Sequence, residues 1–169
     1  ISFEVFPGIT VTYYDAGHIF GSAFILVEGD GKRIIFSGDI GNTNAPIIQD
    51  TEPLPACDAL VLESTYGNRL HPAYVSRKDA LKTVLLEAIE RGGTIMIPSF
   101  SVERTQELLY ELNALIEEDH VLPSIPVFLD SPLAIDVTKV FEKYPQYYDE
   151  TALARVKKGD NFLEFSGLR

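Results

Sequence analysis

The sequence predicts an α/β fold laid down in two parts, on three observations. Residues 1–68 read as short strands and a hairpin, whereas residues 69–169 alternate helical and strand-like runs, as in a parallel sheet with helices packed against it. Three stretches of the first part, Asp15-Ala-Gly-His18, Phe36-Ser-Gly-Asp39 and Leu62-Glu63-Ser-Thr-Tyr-Gly67, each put a metal-type or acid/base-type side chain where a strand runs out. Glycine beside such a residue lets the backbone turn sharply, so three such ends meeting at one sheet edge would make a site. The change of texture alone predicts a domain boundary near Asn68.

The elements follow in order. Ile9–Tyr14 alternates and reads as a strand, Ala23–Glu28 is a second, and Gly29-Asp-Gly-Lys32 turns the chain back into Arg33–Phe36 as a hairpin. Residues 40–58 are a connection rich in Pro, Asn and Asp without periodicity, and Ala59–Glu63 is a short apolar run expected to be a buried strand. Ser76 fits a helix cap with Asp79 three residues on; Ala80, Leu81, Val84, Leu85, Ala88 and Ile89 repeat at helical spacing, and Gly92-Gly93 ends the helix. Thr94–Ile97 is expected as a strand, then a helix from Val102 to Glu118 with Leu108, Leu109, Leu112, Leu115 and Ile116 inward, then a strand at Val127–Leu129. Ser131-Pro132 fits the cap and first position of a helix that Pro145 ends, and Phe162–Phe165 looks like a strand beginning.

Composition narrows the function classes. The chain has 169 residues, a net charge of −11 and no apolar run long enough for a membrane span. Ile1–Pro7 lacks the basic start and apolar core of a secretory leader. The single Cys57 excludes an internal disulfide, suits a reducing cytoplasm, which is the expected location, and is expected to be buried. Residues 1–63 carry −7 and residues 64–169 carry −4, so the part with the three strand ends is the more acidic. A broad phosphate-tracking surface needs Lys and Arg, so any nucleic-acid role requires bound cations or a local basic patch. Lys139, Lys143, Arg155, Lys157, Lys158 and Arg169 cluster late, where a solvated helix surface is the simpler reading.

His18 lies between Gly17 and Gly21 just past a strand, and Asp39 lies between Gly38 and Gly41 past the next hairpin strand. Imidazole and carboxylate suit Zn²⁺, and a catalytic zinc site normally takes three protein ligands. Glu63 ends an apolar run, where an unpartnered carboxylate is costly, so it needs a metal, a histidine or a backbone amide. His71 stands in a loop that could border the site, and His120, in Glu-Glu-Asp-His at a helix end, reads as structural. No Gly-x-Ser-x-Gly elbow, phosphate loop or dinucleotide fingerprint occurs, and Cys57 has no neighbouring base.

These motifs carry a resemblance. Asp15–Ala23, Phe36–Gly41 and Leu62–Gly67 resemble successive motifs of the metallo-β-lactamase fold, and more closely its β-CASP branch, the RNA-processing nucleases that include the cleavage and polyadenylation endonuclease. Gly93–Phe100, Arg104–Leu109 and Val127–Ala134 look like the start of the β-CASP insertion. The resemblance implies part of an αββα sandwich over 1–68, as the C-terminal portion of the first metallo-β-lactamase half, followed over 69–169 by the N-terminal portion of a β-CASP domain with a parallel sheet. It implies His18 and Asp39 as metal ligands, Asp39 bridging two Zn²⁺ ions, and Glu63 as a catalytic carboxylate that pairs with a histidine. It further implies two-metal hydrolysis of a phosphodiester in RNA, with DNA still open, no membrane partner, and room for a homodimer.

The sequence departs from the family pattern. The His-x-His-x-Asp-His motif that supplies most ligands is missing and would lie before Ile1, and two late histidines would lie past Arg169, so the chain is expected to be an internal piece carrying half a site. Alone it is expected to bind zinc weakly and cut nothing. Two other classes stay open: a degenerate scaffold or nucleic-acid-binding module of the same fold, which has no need of His18, Asp39 and Glu63 together, and a hydrolase of small esters, which has no need of the helix–strand part after Asn68.

Overall fold

The computed structural model describes residues 1–69 and 77–169; the expected Ser76 cap and His71 lie outside the described residues. The described chain forms two units, 1–69 and 77–169, each with its own packing. Its five-stranded mixed sheet and four α-helices make it an α/β protein.

In the first unit the strands β1 (Ser2–Phe6), β2 (Ile9–Asp15), β3 (Ala23–Gly29), β4 (Lys32–Phe36) and β5 (Ala59–Val61) lie side by side in chain order. Pairing is antiparallel from β1 to β4 and parallel between β4 and β5. The β3–β4 register places Gly29 opposite Lys32, so Asp30-Gly31 forms a two-residue turn with φ of 50° and 68°, the left-handed geometry such hairpins require. Alternation puts Phe24 and Leu26 of β3 and Ile35 of β4 on one buried face. Tyr14 stacks on Phe24 with ring centroids 5.0 Å apart. Each such buried side chain contributes about 1.5–3 kcal/mol.

One element goes beyond the expectations for this unit, and two expectations fail. No element is expected before Ile9, although Ile1-Ser-Phe-Glu-Val-Phe6 alternates apolar and polar; the segment forms β1, which pairs with β2 as an exposed edge strand, Phe3 stacking on Tyr13. β5 is a strand but is exposed rather than buried, because it is the other sheet edge and pairs on one side only. An apolar run reports strand tendency, not whether a neighbour covers it. Cys57 is exposed, since the coil before β5 gives it no layer to sit under.

The fold's key consequence is directional. Because β3 opposes both its neighbours and β5 parallels β4, strands β2, β4 and β5 all run the same way. Their C-terminal ends, which lead into His18, Asp39 and Glu63, therefore emerge at one edge of the sheet.

In the second unit α1 (Arg77–Arg91) ends at Gly92, and α2 (Arg104–Asn113) continues into a π-helical turn, Ala114–Glu118, closed by the Asp119 N–H donating to the Ala114 carbonyl at 2.9 Å. Leu85 of α1 packs with Leu112, Leu115, Ile116 and Leu122 in one core. Ser131 caps α3 (Pro132–Lys143), accepting from the Ala134 N–H, and Asp149 caps α4 (Glu150–Lys157), accepting from the Ala152 N–H at 2.6 Å. α4 lies outside the sequence expectations; its eight residues are too few to display a periodicity.

The expected parallel sheet of this unit does not form among the described residues. Val127 makes a single parallel bridge to Leu168, and Thr94–Ile97 carries no ladder at all, with Met96 left 87% exposed. A cavity of about 1000 Å³ lies along residues 93–99 and 125–131, so the two runs line a common space instead of pairing. Phe162–Phe165 forms no strand: Phe162 and Leu163 sit in a turn, both side chains buried, and Glu164 and Phe165 follow without ladder pairing. Among the described residues, no helix is long and apolar enough to cross a membrane.

Candidate functional site

The loop after β2 is built around a buried carbonyl. The Asp15 carboxylate accepts the Gly17 N–H at 2.8 Å, and Asp15 exchanges two bonds with Glu52: its N–H donates to Glu52 Oε1 at 2.9 Å and its carbonyl accepts the Glu52 N–H at 3.0 Å. Next to it, the Ala16 carbonyl accepts the Thr51 hydroxyl at 2.8 Å and the Gly41 N–H at 2.9 Å. Gly17 has φ of 60°, and a Cβ there would sit 2.5 Å from the Thr51 nitrogen. The Ser22 hydroxyl then accepts the N–H groups of His18, at 3.1 Å, and Ile19, at 3.2 Å. His18 thus leaves a turn whose amides from Ala16 to Ile19 are all hydrogen-bonded.

The loop after β4 meets this turn directly. A Cβ on Gly41 would fall 1.5 Å from the Gly17 carbonyl oxygen, so only glycine permits the two backbones to touch. Asp39 stands two residues before that contact, exposed on the surface. Glu63, past β5, docks onto the same loop: its Oε1 accepts the Ile40 N–H at 2.6 Å, while its own N–H donates to the Ser37 hydroxyl oxygen at 3.0 Å. Ser37 is buried, and its hydroxyl donates to the Gly38 carbonyl at 2.7 Å.

These contacts set the electrostatics. The Ile40 N–H, then Thr65, hold the Glu63 carboxyl below its ordinary value, with a weaker pull from His18. Glu63 is therefore an anion at neutral pH, and the partner its position demanded is first of all a backbone amide. Burial raises Asp15, opposed by the Gly17 hydrogen bond and reinforced by Glu52. His18 and Asp39 offer an imidazole nitrogen and a carboxylate oxygen from touching loops, a donor pair that fits zinc. Among the described residues no group of three or more His, Cys, Asp or Glu side chains gathers as a metal cage. His120 sits at the end of the π-turn with its ring nitrogen 3.1 Å from the Ile116 carbonyl, a structural role.

The second unit holds polar groups that the sequence singles out only through the motif Arg104–Leu109. Glu103, Thr105, Gln106 and Glu107 are all buried, Glu103 with φ of 67°. Glu107 pairs with Arg104 at 2.6 Å and Arg77 at 3.5 Å, and with Glu111 these residues line a second cavity of about 720 Å³. The Gln106 amide donates to Thr138 Oγ1 at 2.9 Å, tying α2 to α3. A polar residue at an inward helical position was the available signal, and helical periodicity read on apolar residues alone passes over it. Within the late basic cluster, Arg155 is not a solvated charge: it lies over Tyr110, bonds Asn113 and Asp160, and pairs with Glu118.

Comparison with known proteins agrees with this picture. Residues 105–168 match the Beta-Casp domain. Over 160 residues the chain is 34% identical to Ribonuclease TTHA0252 of Thermus thermophilus, covering 95% of this chain and 36% of that protein. It is 33% identical to an RNase J-like protein of Methanocaldococcus jannaschii, covering 96% and 41%, and 29% identical to cleavage and polyadenylation specificity factor subunit 3 of Dictyostelium discoideum, covering 96% and 21%. The chain thus spans less than half the length of these relatives. The β2, β4 and β5 end motifs, the Beta-Casp match and the names of these relatives agree: the chain belongs to the β-CASP branch of the metallo-β-lactamase superfamily.

Proposed function

We propose that this chain is the strand-end half of a metal centre in a cytoplasmic, zinc-dependent β-CASP ribonuclease that hydrolyses RNA phosphodiester bonds by a two-metal mechanism. The observation that carries the reading is the meeting of the three loops at one sheet edge, with Gly41 against Gly17 and Glu63 against Ile40. Ribonuclease names among the relatives support RNA as the substrate class. The first unit then supplies part of an αββα sandwich and the second the beginning of the β-CASP domain.

In this reading His18 and Asp39 hold zinc, which when bound supplies Lewis acidity for water activation and for the charge developing on phosphorus. The chain's own residues do the rest. Glu63 stays ionised and steers an imidazole or a water toward the site, while its bond to Ile40 keeps the Asp39 turn in place. The carboxylates of the first unit give the cations a counter-charge, and the cations admit a phosphate that the −7 segment would otherwise repel. With two donors only, the isolated chain binds zinc weakly and is inactive.

The test is a labelled RNA incubated with protein expressed from the complete reading frame, with and without a chelator. Chelator-sensitive cleavage, lost in Asp39→Ala, supports the proposal; chelator-insensitive cleavage, or no binding or cleavage of RNA with intact upstream ligands, removes it.

A further inference from the structure

The connection between β4 and β5 has no periodicity, yet its end straps the turn that presents His18. Two hydroxyls hold this turn, Ser22 from the same β2–β3 loop and Thr51 from the connection. Ser22 Oγ takes both amides at the base of His18, and Thr51 Oγ1 donates to the Ala16 carbonyl that Gly41 also engages. Ala16 is fully buried and Gly17 is closed in by the Thr51 backbone, so no water replaces the Thr51 bond to the Ala16 carbonyl cheaply, while the bonds from Ser22 are partly buried. The Ala16 carbonyl is thereby bonded by both the strap and the Asp39 loop.

We infer that Ser22 and Thr51 are positioning residues: they set the direction in which His18 leaves its turn and its spacing from Asp39, through the amides of His18 and Ile19 and the carbonyl of Ala16. The functional half of this inference rests on the reading of His18 as a zinc ligand; the structural half does not. Groups that orient a ligand typically govern about 10–100-fold in metal affinity.

The experiment uses the 169-residue chain with two readouts. Without metal, amide exchange in Ser22→Ala should accelerate at least about tenfold at His18 and Ile19, with Leu26 in the same sheet unchanged, and Ser22→Thr should restore protection. With Zn²⁺ as the probe, Ser22→Ala and Thr51→Val should each weaken binding about tenfold or more, and Ser22→Thr and Thr51→Ser should rescue it. Unchanged exchange at His18 in Ser22→Ala overturns the positioning claim outright. Unchanged zinc affinity in Ser22→Ala and Thr51→Val, with His18→Ala weakening it, overturns the link to the ligand alone. If His18→Ala leaves zinc binding intact, the ligand reading itself fails, and the metal-free exchange still decides the structural half.

Discussion

Glu63 reaches back across the sheet edge to accept the Ile40 N–H at 2.6 Å, so the residue that follows β5 caps the loop that follows β4. A carboxylate placed this way has two functions that mutation can separate. In the proposed reading its charge serves the site; its Oε1 holds the turn carrying Asp39.

Glu63→Gln keeps an acceptor oxygen and loses the charge. Turnover of protein expressed from the complete reading frame should fall by at least about 100-fold, the scale of a general acid–base group, with metal content nearly unchanged. Glu63→Ala should lower both, because the Ile40 N–H then loses its partner. Metal analysis beside single-turnover kinetics separates the two; a metal-free Glu63→Gln would make Glu63 a ligand rather than an acid–base group.

Gly41→Ala tests the contact between the loops. Its Cβ would overlap the Gly17 carbonyl, so the backbones must part, at about 3 kcal/mol or more. Gly31→Ala, at positive φ but in open space, should cost only about 1–2 kcal/mol of local strain. Urea midpoints of the two variants give the comparison, and equal losses would mean that the loops do not touch.

Much of this architecture was legible in the sequence, for physical reasons. β2 alternates, β3 and β4 are short apolar runs rich in β-branched residues, and the turn between them has a sequence that selects one geometry; α1, α2 and α3 repeat apolar residues at helical spacing or carry a capping serine. What stayed hidden depends on neighbours. β5 has the apolar composition of a buried strand, but it is a sheet edge paired on one side only and is exposed. Thr94–Ile97 has strand composition and no ladder. At the candidate site His18 and Asp39 each stand beside a glycine past a strand end, and Glu63 ends an apolar run, so all three positions were readable in the sequence. The bonds that fix them were not, because Ser22, Thr51 and the Ile40 amide are ordinary groups until the fold brings them in.

Glu111 predicts a pH dependence in the second unit. Burial raises its carboxyl above the ordinary value, against the pull of Lys78 and Arg77. As pH rises through the ordinary carboxylate range the unfolded chain gives up this proton first, so the Glu111 contribution to stability falls, and the loss is complete once pH passes the folded value. Glu111→Gln should raise the melting temperature at pH 7 and leave it nearly unchanged at pH 4. A lower melting temperature at pH 7 would show that its cationic neighbours outweigh burial.

Arg155 predicts a stability effect of shape rather than charge. Its guanidinium lies 4.7 Å from the Tyr110 ring centroid and donates to Asn113 Oδ1 at 2.7 Å and Asp160 at 2.6 Å. Lysine keeps the charge but has neither the planar face nor the fork, so Arg155→Lys should cost about 1–3 kcal/mol by chemical denaturation. A loss confined to Arg155→Ala, with lysine neutral, would reduce the site to a simple ion pair.

The central claim is that the turns after β2 and β4 present His18 and Asp39 to one cation. Titrating the isotope-labelled chain with Co²⁺ reads this directly, since a paramagnetic ion broadens every nearby amide. The account requires signals of residues 17–19 and 38–41 to broaden together, and to recover together in either His18→Ala or Asp39→Ala. Broadening of one loop without the other, or at acidic residues elsewhere with both loops untouched, would contradict it.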